Sequence, residues 1–318
     1  MTGRHDLNDL GTTGLRVSPI TLGGAPLGSM PDNFGYEVAE RDAVDLVCAV
    51  LASDIRTIDT SNGYAAGRSE KRIGLAISEY GGLPDDVVVI TKVDADGDDY
   101  SGDRVRMSLS ESRERLGIDP LPVVHLHDPE FHDFGFMTAA GGAVSALVEA
   151  KERGDIGHLG LAGGDVREMA RYLELGVFDV LLVHNRWTLV DRSAEAIVER
   201  AADLGVAVVN AAVLGGGILA DTTGTATSYG YRPASASTLA SIARMRDVCA
   251  DWGTDLATAA IRFSTREPRI ATTIVGISKI ARIQSTLEAS VADLPDDFWD
   301  ELETLVPSRA NWLDSDRL

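Results

Sequence analysis

Eight short apolar runs alternate with helical segments along almost the whole chain, and this alternation constrains the fold more than any other feature. Between successive runs, apolar residues recur roughly every three to four positions, which is typical of a helix packed on one face. The runs cover residues 20–22, 56–58, 87–91, 123–126, 157–161, 180–183, 206–209 and 271–275. Strands that alternate with helices predict a parallel sheet, and eight such units in 318 residues predict a closed α/β barrel, the (β/α)8 TIM barrel.

The chain shows no sign of division into separate domains. No linker rich in proline or serine interrupts the alternation, so residues 1–318 are predicted to form one domain. The opening segment, residues 7–19, places Gly11-Thr12-Thr13-Gly14 between two short alternating pieces and predicts a β-hairpin at one end of the barrel. The longest irregular stretch, residues 214–235, follows the seventh run, and its length indicates a functional loop or lid.

The charge of the chain narrows the classes of partner. Asp and Glu number 49 against 29 Lys and Arg, a formal net charge of −20. Nucleic acids and anionic membrane surfaces select basic faces, so neither is an expected partner. No apolar run reaches the roughly 18 residues that a membrane span needs, and the first residues lack a signal-peptide core, so we expect a cytoplasmic protein. Cys48 and Cys249 have no metal-binding spacing, so we predict reduced thiols and no metal site.

Three of the apolar runs end in polar side chains, at the sheet edge where α/β enzymes keep their chemistry. The first of these runs is followed by Asp59, with Tyr64 five residues later, the second by Lys92 and the third by His127. A tyrosine hydroxyl has a reference pKa near ~10, and we expect Lys92 to lower the pKa of Tyr64 while Asp59 holds the ammonium. His127 can orient a substrate oxygen. The set can exchange a proton with a carbonyl or alcohol oxygen, although Asp59 alone fits a helix cap equally well.

This chemistry needs a hydride carrier, because none of these four side chains can accept or donate hydride. A nicotinamide is the natural candidate, yet no strand here ends in the GxGxxG fingerprint that usually marks a dinucleotide site. The glycines at 215–217 follow the seventh strand instead, where barrels commonly bind phosphate.

The order Asp59, Tyr64, Lys92 and His127 on a predicted barrel resembles the aldo-keto reductases. The resemblance spans nearly the whole chain and is carried by residues 11–19, 59–64, 67–70, 90–92 and 127–129. It implies that Tyr64 is the general acid/base, that Lys92 and Asp59 tune it, and that His127 orients the substrate. It also implies an extended NAD or NADP bound without a Rossmann fingerprint.

Residues 23–28, 185–191, 209–212 and 231–234 resemble the branch of that family that contains the D-threo-aldose 1-dehydrogenases and the pyridoxal 4-dehydrogenases. The resemblance implies oxidation of a small-molecule hemiacetal to a lactone, with Tyr64 as base. Pyridoxal oxidation and NADPH-dependent reduction of aldehydes or ketones are the alternatives within the enzymes. A non-catalytic, cofactor-binding subunit similar to the potassium-channel β subunits is the alternative outside them, and turnover of a free substrate would separate it. The oligomeric state is left open.

The predicted cofactor contacts depart from the family pattern. Gly163 stands where the family has a polar grip on the nicotinamide, so His184 or Asn185 is expected to take over that contact. Two further groups of residues are predicted to contact the cofactor. Leu214 and Gly216 lie in the loop after the seventh strand. The residues expected at the adenosine end of the cofactor follow the eighth strand and are Gly276, Ser278, Lys279 and Arg282. Gly276 replaces an expected lysine, which favours use of NAD and leaves NADP open.

The substrate pocket is expected to be set by loops 94–101, 127–135 and 214–235. Phe131, Trp187 and Tyr229 are its candidate wall residues, because ligand pockets are mainly apolar with few polar groups. Each of the three fits an ordinary loop anchor about as well.

Overall fold

Eight parallel strands close into a barrel, as the sequence predicts. The structure, a computed structural model, describes residues 6–31 and 35–315. In chain order its strands are β1 (Asn8–Asp9), β2 (Arg16–Val17), β3 (Ile20–Gly23), β4 (Thr57–Asp59), β5 (Val88–Val93), β6 (Leu121–His127), β7 (Ile156–Gly163), β8 (Val180–His184), β9 (Ala207–Ala211), β10 (Ser228–Tyr229), β11 (Arg232–Pro233) and β12 (Ile270–Gly276). Strands β3 to β9 pair in sequence order, and β12 closes the barrel between β9 and β3.

Helices follow the barrel strands and cover their outer faces. They are α1 (Glu40–Leu51), α2 (Arg68–Tyr80), α3 (Gly102–Leu116), α4 (Phe134–Thr138), α5 (Ala143–Glu152), α6 (Val166–Leu173), α7 (Glu195–Asp203), α8 (Ala236–Asp251), α9 (Leu256–Thr265), α10 (Ala281–Ser290) and α11 (Asp296–Glu303). The helical segments predicted between the apolar runs are present, and the short α4 was not predicted. Among the described residues, no helix combines the length and hydropathy that a membrane crossing requires.

The barrel interior is filled with branched apolar side chains, as alternation along the strands requires. Val88, Val123 and Val180 belong to this inner cluster, and Leu10 and Val17 from the N-terminal hairpin join it. The predicted hairpin is therefore present, formed by β1 and β2, and it plugs the barrel at the amino ends of the strands. Polar residues, among them Asp59, Lys92 and His127, stand at the opposite end, where the strands finish.

The long loop after β9 carries more regular structure than the sequence indicated. A 3-10 turn covers Gly215–Ala220, and β10 and β11 form a two-stranded antiparallel hairpin further along. Runs this short have no usable periodicity, so a sequence pattern cannot distinguish them from irregular chain.

Helices α2 and α3 approach so closely at Gly74 that a larger residue cannot fit. A Cβ added to Gly74 would lie 1.9 Å from the Arg115 carbonyl oxygen, which is backbone and cannot swing aside. We expect Gly74→Ala to lower the free energy of unfolding by about 1–3 kcal/mol, because overpacking forces the helices apart. Urea unfolding measures this. Ser78→Ala, at an exposed position of the same helix, should stay within about 0.5 kcal/mol of wild type, and equal stability of the two variants would contradict the prediction.

Candidate active site

Three of the four predicted catalytic side chains meet in a cluster at the carboxyl ends of β4 and β5. The Lys92 Nζ donates to both carboxylate oxygens of Asp59, at 2.7 and 2.9 Å, and to the Thr60 carbonyl oxygen at 2.6 Å. The Tyr64 hydroxyl lies 3.2 Å from the same Nζ. Parallel pairing places Asp59 beside Ile90, two residues before Lys92, so both side chains project from neighbouring strands to one place.

The charge of Lys92 is set by these contacts. Its side chain is only 1% exposed. Burial lowers the pKa of Lys92, but the Asp59 carboxylate and the Tyr64 hydroxyl outweigh it, so the pKa of Lys92 is raised above its ordinary value. The ammonium is therefore charged at neutral pH, and its hydrogen bonds satisfy a charge that would otherwise be costly to bury.

Tyr64 differs from the expectation. Burial raises the pKa of Tyr64 above its ordinary value; Lys92 acts to lower it, as predicted, but does not overcome burial and the nearby Asp59 carboxylate. The expected net lowering of the pKa was wrong, because the sequence shows the charge of a neighbour but not the loss of solvent. At neutral pH the Tyr64 hydroxyl is a protonated donor.

The loop that carries Tyr64 is anchored on helix α3. Asn62 donates from Nδ2 to the Glu111 carboxylate at 3.0 Å and to the Ser108 carbonyl oxygen at 3.2 Å. Arg115 donates to the Asn62 carbonyl oxygen at 3.2 Å. The side chain and the backbone carbonyl of Asn62 are thus both bonded to α3. These bonds fix the loop and keep the Tyr64 hydroxyl close to Lys92.

His127, the fourth predicted residue, stands beside Tyr64 at the end of β6. The two rings meet edge to face, with centroids 5.8 Å apart. The His127 Nδ1 lies 2.6 Å from Asp94 Oδ1, while Nε2 lies 3.7 Å from Asp128 Oδ2, beyond hydrogen-bond length. Burial lowers the pKa of His127, but the Asp94 and Asp128 carboxylates raise it more, so the net shift is upward. The structure thus brings together all four side chains, which we call the tetrad (Asp59, Tyr64, Lys92 and His127).

Asp94 was predicted only to lie in a loop that borders the substrate, residues 94–101. In the structure it is the hydrogen-bond partner of His127. A signal existed, because a period of two along a strand puts the residue after next on the same face. Asp94 is two residues beyond Lys92, just past the end of β5, and so returns to the side of the barrel where Lys92 lies.

A cavity of about 750 Å³ opens above the tetrad. Each of the eight barrel strands contributes a residue from its carboxyl end to the wall: Gly23, Asp59, Lys92, His127, Gly163, His184, Ala211 and Gly276. This is the face of a TIM barrel where catalytic groups from different strands converge.

Most of the predicted cofactor contacts lie on this wall. Those that line the cavity are Gly163, His184, Leu214, Gly216 and Gly276. Asn185 is fully buried and does not line it; its Nδ2 lies 3.1 Å from His184 Nδ1, so Asn185 supports the imidazole from behind. Ser278, Lys279 and Arg282 follow Gly276 beyond the cavity, with Lys279 and Arg282 exposed to solvent. They remain predicted contacts for the outer end of an extended ligand.

Only one of the three predicted substrate-wall residues borders the cavity. Phe131 does so and is 80% exposed. Trp187 is buried and packs on Phe263, with ring centroids 5.7 Å apart. Tyr229 is buried in the loop after β9, where its hydroxyl bonds to Thr188 at 2.7 Å. Trp187 and Tyr229 are therefore anchors of the surrounding loops, and their assignment to the cavity wall is corrected.

Three polar side chains line the cavity next to His127, those of Asp128, Glu130 and His184. One of them, Glu130, occupies the space beside Gly163 where a larger side chain would otherwise lie. The Glu130 carboxylate accepts the Gly164 N–H at 2.6 Å and lies 2.5 Å from where a Cβ of Gly163 would stand. Burial and the Asp128 carboxylate raise the pKa of Glu130 to about 7. Burial lowers the pKa of His184 to about 4, so this imidazole is neutral. One side-chain atom each of Asp128, Glu130 and His184 lies within 4.8 Å of the other two.

The lining of the cavity fits a nicotinamide dinucleotide. Tyr64 and His127 border the cavity, as do Gly163, Gly216 and Gly276. Glycines in the wall let an extended molecule lie against the main chain, and neutral His184 offers a polar group. The residues present therefore suit such a cofactor without the fingerprint that was absent from the sequence.

Comparison with known proteins agrees with this geometry. The sequence profile of the Aldo/keto reductase family matches residues 19–307. Pyridoxal 4-dehydrogenase of Microbacterium luteolum is 28% identical, over 93% of this chain and 96% of its own length. L-galactose dehydrogenase of Arabidopsis thaliana is 30% identical, over 89% and 88%. D-threo-aldose 1-dehydrogenase of a Pseudomonas species is 26% identical, over 91% and 94%.

A solved structure gives the same fold. An aldo-keto reductase from Bacillus halodurans, in its holo form, matches with a TM-score of 0.78 over 96% of this chain and 97% of its own, at 20% identity. The enzymes of the matched family are oxidoreductases that use NAD or NADP, so the predicted cofactor class is confirmed. The chain belongs to the aldo/keto reductase family.

Proposed function

We propose that the protein oxidises the hemiacetal carbon of a cyclic sugar to a lactone, with NAD or NADP as hydride acceptor. The observation that carries this proposal is the cluster of Asp59, Lys92 and Tyr64 at the wall of the cavity, with His127 beside it. Two relatives, named as an L-galactose dehydrogenase and a D-threo-aldose 1-dehydrogenase, support a sugar as the substrate class.

The polar part of the wall supports a ligand that carries several hydroxyl groups. Asp128, Glu130, His184 and Arg186 all line the cavity near His127. Carboxylates accept hydrogen bonds and a guanidinium donates them, so together they can bind hydroxyls of either role. A purely apolar aldehyde would form no hydrogen bonds with these groups and would displace the water around their exposed atoms, which costs affinity.

In this proposal Tyr64 exchanges the proton. Oxidation uses the minor phenolate form of Tyr64, because the hydroxyl is protonated at neutral pH. The anomeric hydroxyl gives its proton to that phenolate oxygen, the anomeric carbon releases hydride, and the carbon–oxygen bond becomes a double bond. A bound nicotinamide would supply the hydride acceptor. The Lys92 ammonium, 3.2 Å from the Tyr64 oxygen, favours the phenolate, and Asp59 keeps the ammonium in place. In the reverse direction the neutral Tyr64 hydroxyl protonates a carbonyl oxygen.

The test is nicotinamide absorbance during turnover. Purified protein is offered NAD or NADP with L-fucose, D-arabinose, L-galactose or pyridoxal, and NADH or NADPH with a simple aldehyde. Reduction of NAD or NADP by a free sugar, with a lactone as product, is the expected result. Activity with pyridoxal alone would replace the sugar by pyridoxal, the substrate that the 28% identical relative is named for. Turnover of no substrate would favour a cofactor-binding subunit without catalysis.

We also propose that Lys279 and Arg282 bind the adenosine end of the cofactor. Both are exposed just after Gly276, which lines the cavity at the end of β12. Replacing either by Ala should weaken NADP binding about tenfold and NAD binding less, because a 2'-phosphate adds charge-assisted bonds. Fluorescence titration with each cofactor measures both. Arg244→Ala, which removes an exposed arginine of α8, is the control, and equal losses for the two cofactors would contradict a phosphate contact.

A further inference from the structure

A second acid–base pair lies behind the tetrad. The His127 Nδ1 and Asp94 Oδ1 are 2.6 Å apart, the shortest distance His127 makes to a carboxylate. The other Asp94 oxygen, Oδ2, accepts the Gly63 N–H at 2.6 Å and the Ser61 hydroxyl. With Oδ2 occupied by these two donors, Oδ1 is the oxygen left for the imidazole.

We propose that Asp94 is a positioning residue for His127: its carboxylate holds the imidazole proton on Nδ1, so that Nε2 is the nitrogen presented to a bound substrate. This inference rests on the proposed function, in which His127 bonds the substrate oxygen. A neutral imidazole has one N–H, and a carboxylate can only accept, so the hydrogen bond at 2.6 Å requires the proton on Nδ1.

The protonation of Asp94 supports this arrangement. Burial raises the pKa of Asp94, but His127, Ser61 and the Gly63 N–H lower it more, and the net pKa is about 2. Asp94 is therefore a carboxylate across the working range of pH, and it remains an acceptor for His127.

Other groups also lie near His127. The Ser61 hydroxyl oxygen is 3.3 Å from Nδ1, but this hydroxyl donates to Asp94 Oδ2 and carries no charge. Asp128 raises the pKa of His127 as Asp94 does, but it faces Nε2 from 3.7 Å and makes no hydrogen bond there. Lys92 lowers the pKa of His127 by its positive charge. Further titratable groups among the described residues also interact with His127, namely Tyr64, Asp59, His125 and His184.

Holding the proton on Nδ1 gives Nε2 two distinct uses. When His127 is neutral, Nε2 carries a lone pair and accepts a hydrogen bond from a substrate hydroxyl. When His127 is protonated, Nε2–H donates to a carbonyl oxygen. Neutral His127 thus suits an alcohol or hemiacetal, and protonated His127 suits an aldehyde or lactone. Because Asp94 raises the pKa of His127, it sets the pH at which Nε2 changes from an acceptor to a donor.

Asp94→Asn tests the proposal. In histidine-selective 15N NMR of the whole protein, neutral wild-type His127 should carry its proton on Nδ1. In the variant, the affinity of His127 for its second proton should fall about tenfold or more, because the negative charge of Asp94 is gone. The pH at which carbonyl reduction is half-maximal should therefore fall by about one unit or more. Asp98→Asn removes an exposed acid from the same loop and should change neither value.

A conservative variant separates charge from packing. Asp94→Glu keeps a carboxylate near Nδ1, so the proton affinity of its His127 should lie closer to wild type than to Asp94→Asn. A folded Asp94→Asn variant with the wild-type tautomer, proton affinity and pH profile would overturn the proposal. The NMR measurement needs no turnover, so it decides the role of Asp94 even where the wild type oxidises none of the sugars, a result that would count against the proposed function alone.

Discussion

Tyr64→Phe should lose most of the turnover number, on the order of 10²-fold or more, while it folds and binds cofactor like the wild type. The substitution removes one oxygen and keeps the ring. Lys92 loses a 3.2 Å contact but retains Asp59 and Thr60 as partners, so no buried charge is left unsatisfied. The loss is therefore confined to the proton exchange that the phenolic oxygen would perform.

Absorbance of the nicotinamide gives kcat, fluorescence quenching gives cofactor affinity, and thermal melting reports folding. Tyr80→Phe is a matched control, because it removes the same atom from an exposed tyrosine on α2, away from the cavity. Turnover within a few-fold of wild type in Tyr64→Phe would show that another group carries the proton. A drop in kcat together with a large fall in melting temperature would point instead to a structural role for the hydroxyl.

The barrel and the meeting of the tetrad could be predicted because both follow from strand order. Asp59, Lys92 and His127 each stand at or next to the carboxyl end of a strand. In a parallel barrel the carboxyl ends of all strands share one face, so residues far apart in sequence converge without any knowledge of distances. The order of the strands along the chain was therefore enough to place these residues together.

Quantities that depend on depth could not be predicted in the same way. The direction of the Tyr64 pKa shift is decided by burial against the charge of Lys92, and only coordinates show which is larger. Loop aromatics present a similar difficulty. Tyr229 turns inward and Tyr231, two residues on, lines the cavity, because the β10–β11 hairpin fixes their directions. A hairpin this short leaves no pattern in the sequence.

Lys92→Met should lower both activity and stability. The loss of stability is the more direct test of the buried ion pair between Lys92 and Asp59. The Asp59 side chain is 3% exposed, and the Lys92 ammonium is the charge that offsets its burial. Removing one partner of such a pair typically costs about 3–5 kcal/mol, because the remaining charge has no water and no counter-ion. Changing Asp59 to Asn in the same chain should recover part of that loss, since a neutral amide is cheaper to bury than a carboxylate.

Neither the single nor the double variant should turn over substrate, because both lack the ammonium that favours the Tyr64 phenolate. Stability and activity should thus separate, because the double variant regains part of the lost stability and none of the lost activity. Chemical denaturation of wild type, Lys92→Met and the double variant measures the coupling free energy. Equal stability of Lys92→Met and wild type would mean that Asp59 is neutral in the native protein.

The stability deficit of Lys92→Met should depend on pH in a defined direction. Burial raises the pKa of Asp59 and Lys92 opposes it, so the variant leaves burial unopposed. The folded-state pKa of Asp59 then exceeds its unfolded value near ~3.9, and the folded variant binds a proton that the unfolded chain releases. Below the unfolded pKa the deficit should therefore be small, and it should grow as pH rises towards the folded pKa and level off above it. Unfolding of variant and wild type at several pH values would reveal this slope, and a deficit that shrinks as pH rises would contradict an unpaired carboxylate at Asp59.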